Sequence, residues 1–170
     1  MYPSWLKKCT PLLVIAAFLC SFMTIPAAQT DFSGNWSLNE GNSELGQYGT
    51  RFATLKIVIE QKADAISLTK TATSVTGEAV TTTETLTSDG KESESTVFGT
   101  SKKKSTLKWA EDGKTFTVTF SLTLDFSGQT YDLTGVETWS IGADGKSISL
   151  QTALSTPQGD VNTKAVYDKQ

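Results

Sequence analysis

The sequence predicts an all-β domain: an antiparallel up-and-down meander of about ten strands closed into a barrel, with at most one short helix. Three observations predict it. Apolar residues recur with period two, not 3.6. Turn signals arrive about every ten to fifteen residues, and Pro157 is the only proline after residue 28. One face of each strand is apolar and the other is rich in Thr, Ser and Lys, so the meander must bury one face and dispose of its edges. Closure does both.

The chain divides into a signal peptide over 1–28 and a barrel domain over 29–170. Lys7 and Lys8 form a positive start, Pro11 to Met23 an apolar run, and Ile25-Pro26-Ala27-Ala28 a small-residue cleavage region. The apolar run is shorter than the ~20 residues of a spanning helix. Export to the periplasm or outside the cell is the expectation. A lipid anchor at Cys20 is disfavoured because the bulky Leu19 precedes it.

The remaining 140 or so residues suffice for one core. Cys9 and Cys20 both lie in the leader, and the chain has no histidine. Disulfides, thiolate ligands, His-ligated zinc and Ser-His-Asp chemistry are therefore excluded from the domain. No catalytic residue, metal or cofactor is expected. Losing Lys7 and Lys8 takes the formal charge from −3 to −5, so a nucleic-acid partner is not expected either. Lys102-Lys103-Lys104, the only basic run, reads as a solvated strand end.

The first strand lies within Asp31 to Asn39 and contains Gly34 and Trp36. Glu40 to Thr50 has room for one short helical turn. Leu55, Ile57 and Ile59 line the second strand, and Ile66 and Leu68 the third. The fourth carries Val80, Thr82, Glu84 and Leu86 on one face. The fifth, near Glu92 to Phe98, has few apolar residues, while Leu107 and Trp109 line the sixth. The seventh is the clearest: Phe116, Val118, Phe120, Leu122, Leu124 and Phe126 alternate with polar residues across Thr115 to Phe126. Burying six such side chains contributes at most roughly 9–18 kcal/mol, and a slip of one residue would expose them all. Tyr131, Leu133, Trp139 and Ile141 line the eighth strand, Ile148, Leu150 and Leu154 the ninth, and Val161, Ala165 and Tyr167 the tenth. Asp89-Gly90, Asp112-Gly113 and Asp144-Gly145 supply hairpin turns with positive φ. Ser127-Gly128 and Gln158-Gly159 turn two further corners.

The outward faces do not suit lipid. They carry Thr, Ser and Lys where an outer-membrane barrel needs apolar side chains, and the chain ends Asp168-Lys169-Gln170 without a terminal aromatic.

Asp31 to Asn39, Glu137-Thr138-Trp139-Ser140-Ile141 with Ala143 to Lys146, and Val166-Tyr167-Asp168-Lys169 resemble the bacterial lipocalin-like exported proteins. These belong to the calycins, beside lipocalins and fatty-acid-binding proteins. The resemblance covers essentially the whole domain. It implies a ligand-binding barrel and a structural role for Gly34 and Trp36 in closing one end. Two departures are visible. Tyr167 matches the tyrosine of an Arg-x-Tyr carboxylate clamp, but Ala165 stands at the arginine position. Glu40 to Phe52 is too short for the two lid helices of the fatty-acid-binding proteins.

Glu84, Glu137 and Lys70 share faces with apolar residues and point inward if that face is the interior. An isolated buried charge is costly, so each needs a partner, water or a ligand. One reading gathers Lys70, Glu84, Glu137 and Tyr167, with Tyr131 on the same wall, into a polar site that orients a small hydrophobic ligand. The other pairs the charges internally or lets them reach solvent at fraying strand ends. The expected function is thus an exported, non-enzymatic binding protein. The alternative is a structural or interaction module of the cell envelope whose barrel is filled by its own side chains. Asn35-Trp36-Ser37 matches a glycosylation sequon but sits on a strand beside a packed Trp. The Asp-Gly turns carry too few oxygens to hold calcium.

Overall fold

A computed structural model describes residues 28–74, 77–97, 100–126 and 128–170, without the side chains of Tyr48, Phe52, Asp125 and Phe126. The leader expected over 1–28, including Cys9 and Cys20, lies outside the described residues except for Ala28, as do Phe98 and Ser127.

Ten antiparallel strands form one nearly closed barrel: β1 (Gly34–Leu38), β2 (Thr54–Gln61), β3 (Ala65–Thr73), β4 (Ala79–Thr87), β5 (Ser93–Val97), β6 (Ser101–Trp109), β7 (Thr115–Phe126), β8 (Gln129–Ile141), β9 (Ser147–Thr156) and β10 (Gly159–Lys169). The sheet order is β4-β3-β2-β1-β10-β9-β8-β7-β6-β5. Every neighbour in that order is a neighbour in sequence except β1 and β10, which pair Trp36 with Lys169 and Leu38 with Tyr167. Among the described residues no ladder joins β4 to β5, the two ends of the sheet.

The alternation works as read. On β7, Phe116, Val118, Phe120 and Leu122 are buried while Thr119, Ser121 and Thr123 are exposed. Register follows from this pattern: Phe116 faces Trp139, Val118 faces Glu137 and Leu122 faces Leu133. The Asp-Gly turns also form. Gly90, Gly113 and Gly145 have φ of 75°, 65° and 68°. In each, the preceding Asp carboxylate accepts the backbone N–H of the following lysine, at Lys91, Lys114 and Lys146. Between β1 and β2 the chain makes two 3-10 turns, Glu40–Asn42 and Gly46–Phe52, where one helical turn was expected. Asn39 caps the first through its side-chain oxygen, and Gly49, at φ 51°, kinks the second.

One end of the barrel is plugged. Trp36 is 1% exposed, and its ring N–H donates to the Phe32 carbonyl at 3.1 Å. Phe32 packs edge-on against Phe116 at 4.9 Å, and Phe116 stacks on Trp139 at 5.6 Å. Phe32 precedes β1 and was not anticipated as core, because no strand alternation marks it. Gln61 holds its segment in place, accepting the Phe32 N–H at 3.0 Å and donating to the Thr30 carbonyl at 3.0 Å. Gly34, at φ 146°, lets β1 begin close to Lys169. A β-carbon there would stand 3.0 Å from Lys169 Cε.

A second, smaller apolar cluster holds Val97, Phe120 and Leu122, with Leu124, Leu133 and Leu154 against it. Gly135 fits between its neighbours because it has no side chain. A β-carbon there would lie 2.6 Å from Phe120 Cζ and 2.8 Å from the Ala153 carbonyl oxygen.

Candidate functional site

Four charges occupy the interior between the two apolar clusters. Lys70 comes from β3, Glu84 from β4, Lys103 from β6 and Glu137 from β8. Strand phase places each of them inward. Lys70 follows Ile66 and Leu68, Glu84 precedes Leu86, Glu137 precedes Trp139, and Lys103 is in step with Leu107 and Trp109.

Lys70 Nζ donates to Glu84 Oε1 at 3.0 Å and to both Glu137 oxygens at 3.0 Å. Lys103 Nζ donates to Glu84 Oε1 at 3.0 Å, to Glu84 Oε2 at 2.9 Å and to Glu137 Oε1 at 3.4 Å. Ser105 donates to Glu84 Oε2 at 3.4 Å, and the Trp139 ring N–H donates to Glu137 Oε2 at 3.1 Å. Each carboxylate thus accepts four bonds, which fills its lone-pair capacity. The ammonium groups also touch aromatic faces. Lys70 Nζ lies 5.2 Å from the Trp139 ring centre and Lys103 Nζ 4.6 Å from that of Phe120. The tetrad therefore bridges the plugged end and the smaller cluster.

Burial and charge pull in opposite directions here. Burial alone pushes the Glu84 carboxyl upward, but Lys70 and Lys103 together outweigh it and hold the group down to about 2. Glu137 is lowered for the same reason: burial opposes, and the two ammoniums prevail. Burial pulls Lys70 downward, yet Glu137 and Glu84 raise it above its ordinary value. All three are charged at neutral pH.

The residues expected to form the site are brought together only in part. Lys70, Glu84 and Glu137 meet. Tyr167 does not join them by hydrogen bond; its hydroxyl donates to the Thr54 carbonyl at 3.0 Å, and burial pushes the phenol up to about 12. Tyr131 lies further along β8, half-buried, with its hydroxyl directed to the Gln129 side chain. Lys103 corrects the reading of the lysine run as a solvated strand end. Lys102 and Lys104 are exposed and pair with Glu94 and Glu92, but Lys103 is 7% exposed and faces inward. The clue was parity: Lys103 is two and four residues from Ser105 and Leu107, on the face that continues to Trp109.

Past the tetrad the interior opens. Most inward positions at the plugged end are buried, among them Trp36, Phe116, Trp139 and Ile148, with Trp109 and Ile141 partly so. At the other end Val80, Tyr131, Leu133, Leu154, Val161 and Thr163 share the inward face but are only half-buried. Lys70 and Glu137 side chains retain 14% and 10% exposure. Partly exposed apolar and threonine side chains thus face inward at this end, above the internally neutral tetrad, and this half-buried end of the barrel is termed the cup. A separate depression of about 340 Å³ on the outer surface is lined by Thr119, Val136, Ala153 and Asn162, among others, and includes none of the tetrad. Among the described residues, no three Asp, Glu, His or Cys side chains cluster as a metal site would need. No helix among them is long and apolar enough to cross a membrane.

The chain matches no established protein-family model and no curated protein sequence. Among solved structures it is similar to the zebrafish ileal bile acid-binding protein, crystallised with cholic acid. The TM-score is 0.52 at 18% identity, covering 82% of this chain and 98% of that one. At that identity the likeness is one of fold: the barrel is calycin-like.

Proposed function

We propose that this protein is an exported, non-catalytic binding protein that holds a small, mostly apolar molecule in the cup above the Lys70–Glu84–Lys103–Glu137 tetrad. The observation that carries the reading is the contrast between the two ends of the interior: one plugged by Trp36, Phe32 and Phe116, the other left half-buried at inward apolar positions. Apolar walls with few polar groups are the usual composition of a ligand pocket. The tetrad adds support. Interior ion pairs contribute little net stability compared with apolar residues of similar volume, so a barrel filled only for stability has no need of four charges. Tyr131, on the open wall, and Tyr167, on the last strand, belong to the same proposed site. The zebrafish protein of similar fold, crystallised with cholic acid, supports this reading.

The leader composition over 1–28 supports export, with cleavage after Ala27 or Ala28. The intact mass of protein recovered from the source cells tests this directly, since retention of residues 1–28 contradicts it.

The mutual pairing of all four charges favours a second reading, a self-filled envelope module. Such a module needs an exposed apolar docking patch. Val58 and Val136, on separate strands, are the only exposed large apolar residues among those described. Thermal denaturation of residues 29–170 across a panel of fatty acids, alcohols, sterols and isoprenoids separates the two. A saturable rise in melting temperature with at least one compound is expected. A flat response across the panel contradicts the binding reading.

A further inference from the structure

We infer that the cup selects an uncharged amphiphile, one whose polar end is a hydroxyl or carbonyl, and rejects carboxylates and amines of the same chain length. This rests on the binding reading above and specifies the ligand chemistry.

The charges of the tetrad balance among themselves. Lys70 and Lys103 are the cations of the tetrad, and each is neutralised by Glu84 and Glu137 at 2.9–3.4 Å. The tetrad sums to zero, and its donors and acceptors are already used. A carboxylate entering the cup loses its hydration and meets no free cation; an ammonium meets no free carboxylate. Either leaves a net charge in an apolar enclosure, which is the costly outcome. Ala165, buried on β10, contributes no charge of its own. Arg51 is exposed, on the 3-10 turn Gly46–Phe52.

A neutral head group has a partner available. Ser95 on β5 stands opposite Lys103 in register and in phase with the buried Val97, so it faces inward. Its hydroxyl oxygen is buried and makes no hydrogen bond. A buried hydroxyl without a partner is unfavourable, and a ligand hydroxyl or carbonyl satisfies it.

The test is displacement of Nile red, an uncharged probe, by dodecanol, dodecanoate and dodecylammonium at neutral pH. Dodecanol is expected to displace at concentrations about tenfold or more below either charged chain. Ser95→Ala should weaken dodecanol roughly threefold or more without lowering the melting temperature of the free protein. Glu137→Gln leaves one ammonium uncompensated and should shift the preference toward dodecanoate by about tenfold. Dodecanoate binding as tightly as dodecanol in the natural protein overturns this inference and leaves the binding reading standing. An unchanged preference in folded Glu137→Gln protein overturns it as well. Failure of Nile red and all three chains to bind overturns both.

Discussion

Lys103 Nζ lies 3.0 and 2.9 Å from the two oxygens of Glu84, joining β6 to β4 across the one seam that has no backbone ladder among the described residues. The sheet therefore closes through side chains where hydrogen-bonded strands do not close it. Removing one partner strands the other charge inside. Glu84→Gln and Lys103→Met should each lower stability by about 3–5 kcal/mol, and the double variant by less than their sum, with a coupling of about 1–3 kcal/mol. Urea denaturation of the four proteins gives the cycle. Additive losses contradict a direct pair.

Acid should loosen the barrel in a defined window. Glu84 is held at about 2 against an ordinary 4.5, and Glu137 is lowered in the same direction. Both bind protons less readily in the folded than in the unfolded chain. Their contribution is complete above about pH 4.5 and is lost as pH falls through their lowered folded values, about 2 for Glu84. Lys70 has the opposite sign: its pKa is raised, so its contribution is complete below 10.5 and is lost only as pH rises through the higher folded value. Melting temperature should fall steeply below pH 4.5, and less steeply in Glu84→Gln. Equal slopes in both proteins contradict the assignment.

Gly135 should tolerate no side chain. Its missing β-carbon leaves room for the Phe120 ring and the Ala153 carbonyl. Gly135→Ala is expected to cost about 1–3 kcal/mol. Phe120→Leu in the same chain should recover part of that loss, because the ring is the nearer obstacle; no recovery in denaturant midpoint contradicts the steric account.

Tyr167 should behave as a buried structural phenol. Tyr167→Phe removes the bond to the Thr54 carbonyl and should cost about 1 kcal/mol with the ring packing retained. In an alkaline absorbance titration one tyrosine should ionise near 12, and that transition should vanish in Tyr167→Phe. Its persistence contradicts the assignment.

Much of this was legible beforehand because a β-strand has a simple period. The twelve residues of β7 announce both their bounds and their buried face, and Asp-Gly pairs mark three turns that need positive φ. The same parity placed Lys70, Glu84 and Glu137 on inward faces. Lys103 was obscured because identical neighbours hide alternation: in a run of three lysines, no contrast marks the middle one. Phe32 was obscured because it precedes its strand and is held by Gln61, a contact between residues far apart in sequence. The bond from Tyr167 to the Thr54 carbonyl was obscured for a related reason. Phase shows which way a side chain points, not which partner its last atom reaches.

The central claim is that the half-open cup above the tetrad holds a molecule. Native mass spectrometry of the protein purified from its own source, before and after organic extraction, tests it most directly. The account predicts an added mass of roughly a few hundred daltons, on the scale of a ligand such a cup encloses, which extraction removes and which is uncharged when released. A bare chain mass before extraction, together with a flat thermal response to the small-molecule panel, would contradict it.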